Sequence, residues 1–256
     1  MKWIHLPVTW AKWWVVPNLK ASRIKVCDGF YLKGVLSGTP ADESPDAVIK
    51  YTRILRGMGY KVIPGMVIFI GEYKGNSNLS AWYDTKTWQR AAQVALKFSP
   101  LSKNIAIDFE PYWEGNRYPP VEDVRKLSTA LYPLIRTART NKLRLHLLPG
   151  IHYTLGAVLL SALPGQIVDC DESSYAYGDP ARRQEVAQKR GYASWDEDVS
   201  ERAKGATLMG VEYRPGFYYK GINDPTLQLR LNQPGSKNMC VWYYPNSKEA
   251  QVMGKS

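Results

Sequence analysis

Residues 104–113 read Asn-Ile-Ala-Ile-Asp-Phe-Glu-Pro-Tyr-Trp, a short apolar run that ends in two carboxylates, a proline and two aromatics. Side chains alternate along a strand, so Ala106, Asp108 and Glu110 share one face while Ile105, Ile107 and Phe109 take the other. Carboxylates that close the inward face of a buried parallel strand are placed for proton transfer, because the C-terminal strand ends of an α/β enzyme gather around its active site. One acid can protonate a leaving oxygen while a second carboxylate stabilises or attacks the sugar, so the chemistry expected is hydrolysis of a glycosidic bond. Other chemistries have little to draw on. His5, His146 and His152 are the only histidines, too few for a His-based metal site or a Ser-His-Asp triad. Cys27, Cys170 and Cys240 lack metal-ligand spacing and read as buried thiols. No P-loop, zinc-finger spacing or RNP-like motif is present, and neither a cofactor nor a metal is expected.

Such residues need a scaffold. Apolar, β-branched runs that end in Pro, Gly, Asp or Asn predict strands near residues 12–17, 24–32, 62–70, 104–111, 143–149, 167–171, 207–213 and 239–244. Helical periodicity predicts helices over 45–57, 85–98 and 121–140, the first with Ser44 as N-cap and Pro45 at the first helical position. Eight strands with helices between them predict an α/β fold, a single (β/α)8 TIM-like barrel domain over residues 1–256. Residues 18–23 are too few for a normal parallel crossover. The first unit is therefore expected to be degenerate, unless the first strand is really Lys2–Pro7. The chain also stops soon after Tyr244, so the last helix is expected to be truncated.

On that scaffold the strand ends bring a set of residues to one mouth. Glu110 follows the fourth strand, Asp171 and Glu172 follow the sixth, Glu212 ends the seventh, and Trp242 and Tyr244 end the eighth. Glu110 is the expected general acid, with Asp108 beside it favouring its protonated form through like-charge repulsion and desolvation. Glu212 is the first choice for nucleophile, and Asp171 or Glu172 are the alternative second carboxylate. A separation of about 5–5.5 Å between the paired carboxyls would give retention, and about 6.5–9.5 Å inversion. Tyr112, Trp113, Tyr213, Trp242 and Tyr244 offer flat faces to sugar rings, and His146 is expected to face inward beneath the mouth, within reach of a carboxylate.

The segment from Ile105 to Tyr112 resembles the fourth-strand signature of chitinase-like glycoside hydrolases, D-x-x-D-x-D-x-E followed by an aromatic. The resemblance implies Glu110 as proton donor with Asp108 in support, and Trp242 in Met239-Cys240-Val241-Trp242 as the tryptophan that floors the sugar site. Lys103 and Ala106 replace the first two acids of that signature, which weakens the case for catalysis assisted by a substrate acetamido group. A second resemblance, to the large retaining β-glycosidase clan, pairs an acid/base at the fourth strand with a nucleophile at the seventh, here Glu110 and Glu212; Phe109 stands where that clan has Asn. A third covers more of the chain. Trp82-Tyr83-Asp84, Asp108 to Tyr112, Glu172 to Tyr175 and Val241 to Tyr244 are similar to motifs of uncharacterised barrel proteins taken to be glycosidases.

The partner expected from these features is an oligo- or polysaccharide. A formal charge of +11 adds an anionic polymer as an alternative partner, though the cations are scattered. A carbohydrate-binding barrel without catalysis is the other alternative. No stretch approaches the roughly 20 apolar residues of a membrane span, and Met1 to Pro7 lacks the apolar core of a signal peptide. The location expected is cytoplasmic, or otherwise unassigned.

Overall fold

The computed structural model describes residues 3–12, 16, 29–37, 41–68, 79–108, 121–148, 167–170, 184–185, 187–188, 191–194, 196–197, 200, 204, 212–219 and 240–243. Eight parallel strands form a closed barrel in chain order. They are β1 (Trp3–Pro7), β2 (Gly29–Val35), β3 (Lys61–Val67), β4 (Asn104–Asp108), β5 (Arg144–Leu148), β6 (Ile167–Cys170), β7 (Glu212–Tyr219) and β8 (Cys240–Tyr243). β8 pairs back onto β1, with Cys240 opposite Trp3. Following register partners once round the ring returns to β1 displaced by eight residues. That shear is the one that lets eight tilted strands close around a filled interior.

The two faces of the sheet bury different things. Inside the barrel Trp3, Tyr31, Ile63 and Ala106 form a small cluster, with the Trp3 and Tyr31 rings 5.0 Å apart. The larger core lies outside, where Phe30, Leu32, Val62, Met66, Ile105, Ile107 and Leu145 meet the helices. Those helices are α1 (Pro45–Gly57), α2 (Thr85–Phe98) and α3 (Val121–Thr140), as the periodicity predicts. The Ser44 hydroxyl accepts from the Ala47 N–H at 3.2 Å, and Asp84 caps α2 by accepting from the Lys86 N–H at 3.0 Å. Trp88 on α2 donates its indole N–H to the Trp82 carbonyl at 2.8 Å, so a fully buried indole is hydrogen-bonded. α3 ends with Lys142 at φ 53, the one non-glycine residue with positive φ among those described. The turn is closed by the Leu143 N–H on the Ala138 carbonyl at 2.8 Å. Holding a lysine in this left-handed conformation costs about 1–2 kcal/mol.

Three expectations need correction. The first strand is Trp3–Pro7, not 12–17: Val8–Trp10 form a helical turn, and Ala11 and Val16 are buried without belonging to a strand. An apolar Trp/Val run needs burial, and helical packing supplies that as well as a sheet does. Residues 8–28 then separate β1 from β2, enough for a parallel crossover, so the argument for a degenerate first unit lapses. The second strand is shifted to Gly29–Val35 and takes in Lys33. The seventh is Glu212–Tyr219 rather than 207–213. Pro215 and Gly216 argue against a strand in sequence, yet both are paired, Pro215 with Cys170 of β6 and Gly216 with Cys240 of β8. The truncated last helix would lie beyond Tyr243, outside the described residues.

Candidate functional site

In a parallel barrel all strand ends face one rim, and Asp108 is the last residue of β4. Its side chain accepts a hydrogen bond from the Lys33 ammonium, forming an ion pair with side-chain exposures of only 9% for Asp108 and 2% for Lys33. β3 lies between the two strands that carry them. Lys33 is the register partner of Gly65, and Gly65 is the register partner of Ala106. Because Gly65 has no side chain, the lysine stem crosses β3 on the inner face and reaches β4. A Cβ at Gly65 would stand 2.6 Å from the Ala106 Cβ and 2.7 Å from the Ala106 carbonyl oxygen. Gly65→Ala is therefore expected to cost about 1–3 kcal/mol by overpacking, read as a lowered urea midpoint; an unchanged midpoint would mean that the β3–β4 approach is looser than described.

The pair revises one electrostatic expectation. Asp108 was expected to repel a proton-poor Glu110 through its negative charge, but the Lys33 ammonium balances that charge at contact distance. Lys33 is also the functional candidate that sequence reasoning missed. The signal was a lysine sharing a strand face with Tyr31 in an otherwise apolar run, and a strand boundary drawn one residue early, at Leu32, hid it.

His146 faces inward beneath the mouth, as expected, and is buried. Its ring nitrogens meet neutral groups. Nδ1 lies 3.1 Å from the Tyr31 hydroxyl and Nε2 3.0 Å from the Asn104 amide oxygen. An amide oxygen only accepts, so Nε2 carries the proton and Nδ1 accepts from Tyr31. Since Ala106 is the register partner of His146 and Leu148 that of Asp108, the imidazole belongs two residues deeper in the barrel than the Asp108 carboxylate. There it links Tyr31 on β2 to Asn104 on β4.

The remaining candidates divide by position. Trp242 lies in the C-terminal half of β8 as register partner of His5 and Tyr218, and the stagger sets its backbone level with Lys33 and Asp108. Glu212 is the correction. It opens β7 instead of closing it, so it starts at the opposite rim from Asp108, and Tyr213 follows directly after it. The stagger leaves Glu212 five residue steps below Asp108, about 13 Å along the axis at about 3.3 Å per residue and a tilt of about 36°. That gap between backbone levels exceeds both carboxyl separations glycosidases use, and it sets Glu212 at the rim opposite the end of β4. Glu110, Tyr112, Trp113, Asp171, Glu172 and Tyr244 lie outside the described residues. Among the described residues no three His, Cys, Asp or Glu side chains gather as metal ligands, and no helix is long and apolar enough to cross a membrane.

No protein-family model and no curated protein matches the chain. Solved structures do match it across nearly its whole length. A 3-keto-D-glucoside 4-epimerase from E. coli is 12% identical over 100% of this chain and 97% of its own, with a TM-score of 0.55. A thermostable, halotolerant GH5 cellulase from an Icelandic hot spring isolate is 13% identical over 97% of this chain and 77% of its own, with a TM-score of 0.57. A GH5 xyloglucan-specific endo-β-1,4-glucanase from a metagenomic library, solved with cellotriose, is 10% identical over 93% of this chain and 83% of its own, with a TM-score of 0.53. At these identities the likeness is one of fold, the α/β barrel.

Proposed function

We propose that the chain is a glycoside hydrolase that binds an oligo- or polysaccharide at the C-terminal mouth of its barrel and cleaves a glycosidic bond there. The observation that carries this reading is the buried Lys33–Asp108 pair at the end of β4, two residues before Glu110. A charged pair inside a barrel, next to the rim where barrel enzymes do chemistry, is placed to organise polar ligand groups. The GH5 cellulase and the xyloglucan-specific endo-β-1,4-glucanase that share the fold lend support. Glu110 serves as general acid. Asp108, held by Lys33, fixes the polar end of β4, and Trp242 floors the sugar site.

With Glu212 at the other rim, the second carboxylate passes to Asp171 or Glu172, which follow directly on Cys170 at the end of β6. β4 and β6 are alternate strands, the spacing at which TIM-barrel side chains share a layer. The test is Glu110→Gln. The variant should lose about 10²–10⁴-fold in turnover while its glycan affinity stays within a few-fold of wild type. Turnover retained in the variant would remove Glu110 as the acid, and wild-type binding without turnover would leave a carbohydrate-binding barrel.

A further inference from the structure

We propose that the N-terminal face of the barrel, opposite the mouth, is a docking surface for an acidic polysaccharide. Lys61 opens β3, Arg144 opens β5, Lys103 precedes β4, and Arg139 and Lys142 end α3; all five are exposed. Residues 56–62, 97–104 and 137–145, which build this side of the rim, contain no Asp or Glu. The pieces are tied to one another. The Arg144 N–H donates to the Lys103 carbonyl at 2.7 Å, and the Lys103 ammonium donates to the Asn141 carbonyl at 3.4 Å. Glu212 opens β7, two strands further round from β5.

The ordinary reason for cations at a helix C-terminus is the helix dipole, and that accounts for Arg139. It does not account for Lys61 and Arg144, which open strands. Nor does it account for Lys142, which occupies a left-handed position where glycine sits without strain and is the usual choice after a helix. A lysine held there against backbone preference is an independent sign that charge at this spot is used.

Among the described residues of these three segments the exposed charges are all cationic. Tyr60 and Phe98, the aromatics of these segments, are buried, so these described segments offer no stacking platform for nucleic-acid bases. Among the described residues the exposed large hydrophobics, Leu96, Val121 and Tyr132, lie outside these segments, so these segments set no apolar side chain to enter a lipid surface. Separated cations on a rigid rim suit a polymer that carries carboxylates at sugar-length intervals. Because this rim is remote from Asp108, the surface is independent of any cleavage at the mouth.

Labelled polygalacturonate is the probe, with a phosphatidylserine vesicle and a DNA duplex as competing arms, and fluorescence anisotropy the readout. Wild type should bind polygalacturonate with an affinity that falls about tenfold or more between about 50 and 200 mM salt. Lys103→Gln/Arg144→Gln should weaken binding by about tenfold, from the loss of two cation contacts. Lys142→Gly should weaken it several-fold while the melting temperature stays the same or rises, since the strained backbone is relieved. Cleavage of a neutral glucan should be unaffected by these variants, so failure of the catalytic reading would leave this result standing. Binding within twofold of wild type in both variants would overturn the proposal, as would tighter binding of the duplex or the vesicle.

Discussion

Replacing Lys33 with Met should destabilise the protein by about 3–5 kcal/mol, because it leaves the buried Asp108 carboxylate without the ammonium that pairs with it, and Asp108→Leu should destabilise it as well by removing that carboxylate from a buried ammonium. The pair qualifies for that magnitude by its burial, at 2% and 9% side-chain exposure. Replacing both at once removes the stranded charge, and the double variant should recover most of the loss. A double-mutant cycle in urea, with the slope of the transition unchanged, reads the coupling directly. Additive losses would show that the two groups are not paired in solution. The double variant also separates stability from function: if the pair orders ligand groups at the mouth, stability returns and glycan turnover does not.

The second large effect concerns which carboxylate works with Glu110. Removing the true partner, by Asp171→Asn or Glu172→Gln, should lower turnover by about 10²–10⁴-fold with the fold intact. Glu212→Gln should leave turnover within a few-fold of wild type, because Glu212 opens β7 at the far rim. Steady-state rates for the three variants on one glycan decide it. A collapse of turnover in Glu212→Gln, with unchanged melting temperature, would mean that β7 has been placed in the wrong register.

Much of the architecture was readable in the chain because it is written in periodicity. The three long helices are amphipathic, and Ser44 and Asp84 cap the first two, so their limits at Pro45–Gly57, Thr85–Phe98 and Val121–Thr140 follow from local rules. β4 was readable because an apolar run gives way to charge at Asp108, its last residue. The failures share a cause: strand limits depend on neighbours the sequence does not show. Val16 is buried without belonging to a strand, and β7 runs through Pro215, which pairs with Cys170 of β6. The same shift carried Glu212 from one end of the barrel to the other. Lys33 stayed hidden because its meaning needs Asp108, 75 residues away, and an absent side chain at Gly65 to let the two meet.

The most direct test of the central claim is release of new sugar ends from a panel of neutral and acidic glycans by wild-type protein, run beside Glu110→Gln. The account predicts that at least one glycan is cleaved by wild type, and that the variant still binds that glycan while cleaving it about 10²–10⁴-fold more slowly. If wild type neither cleaves nor binds any member of the panel at the mouth, the assignment of this barrel to sugar chemistry is contradicted.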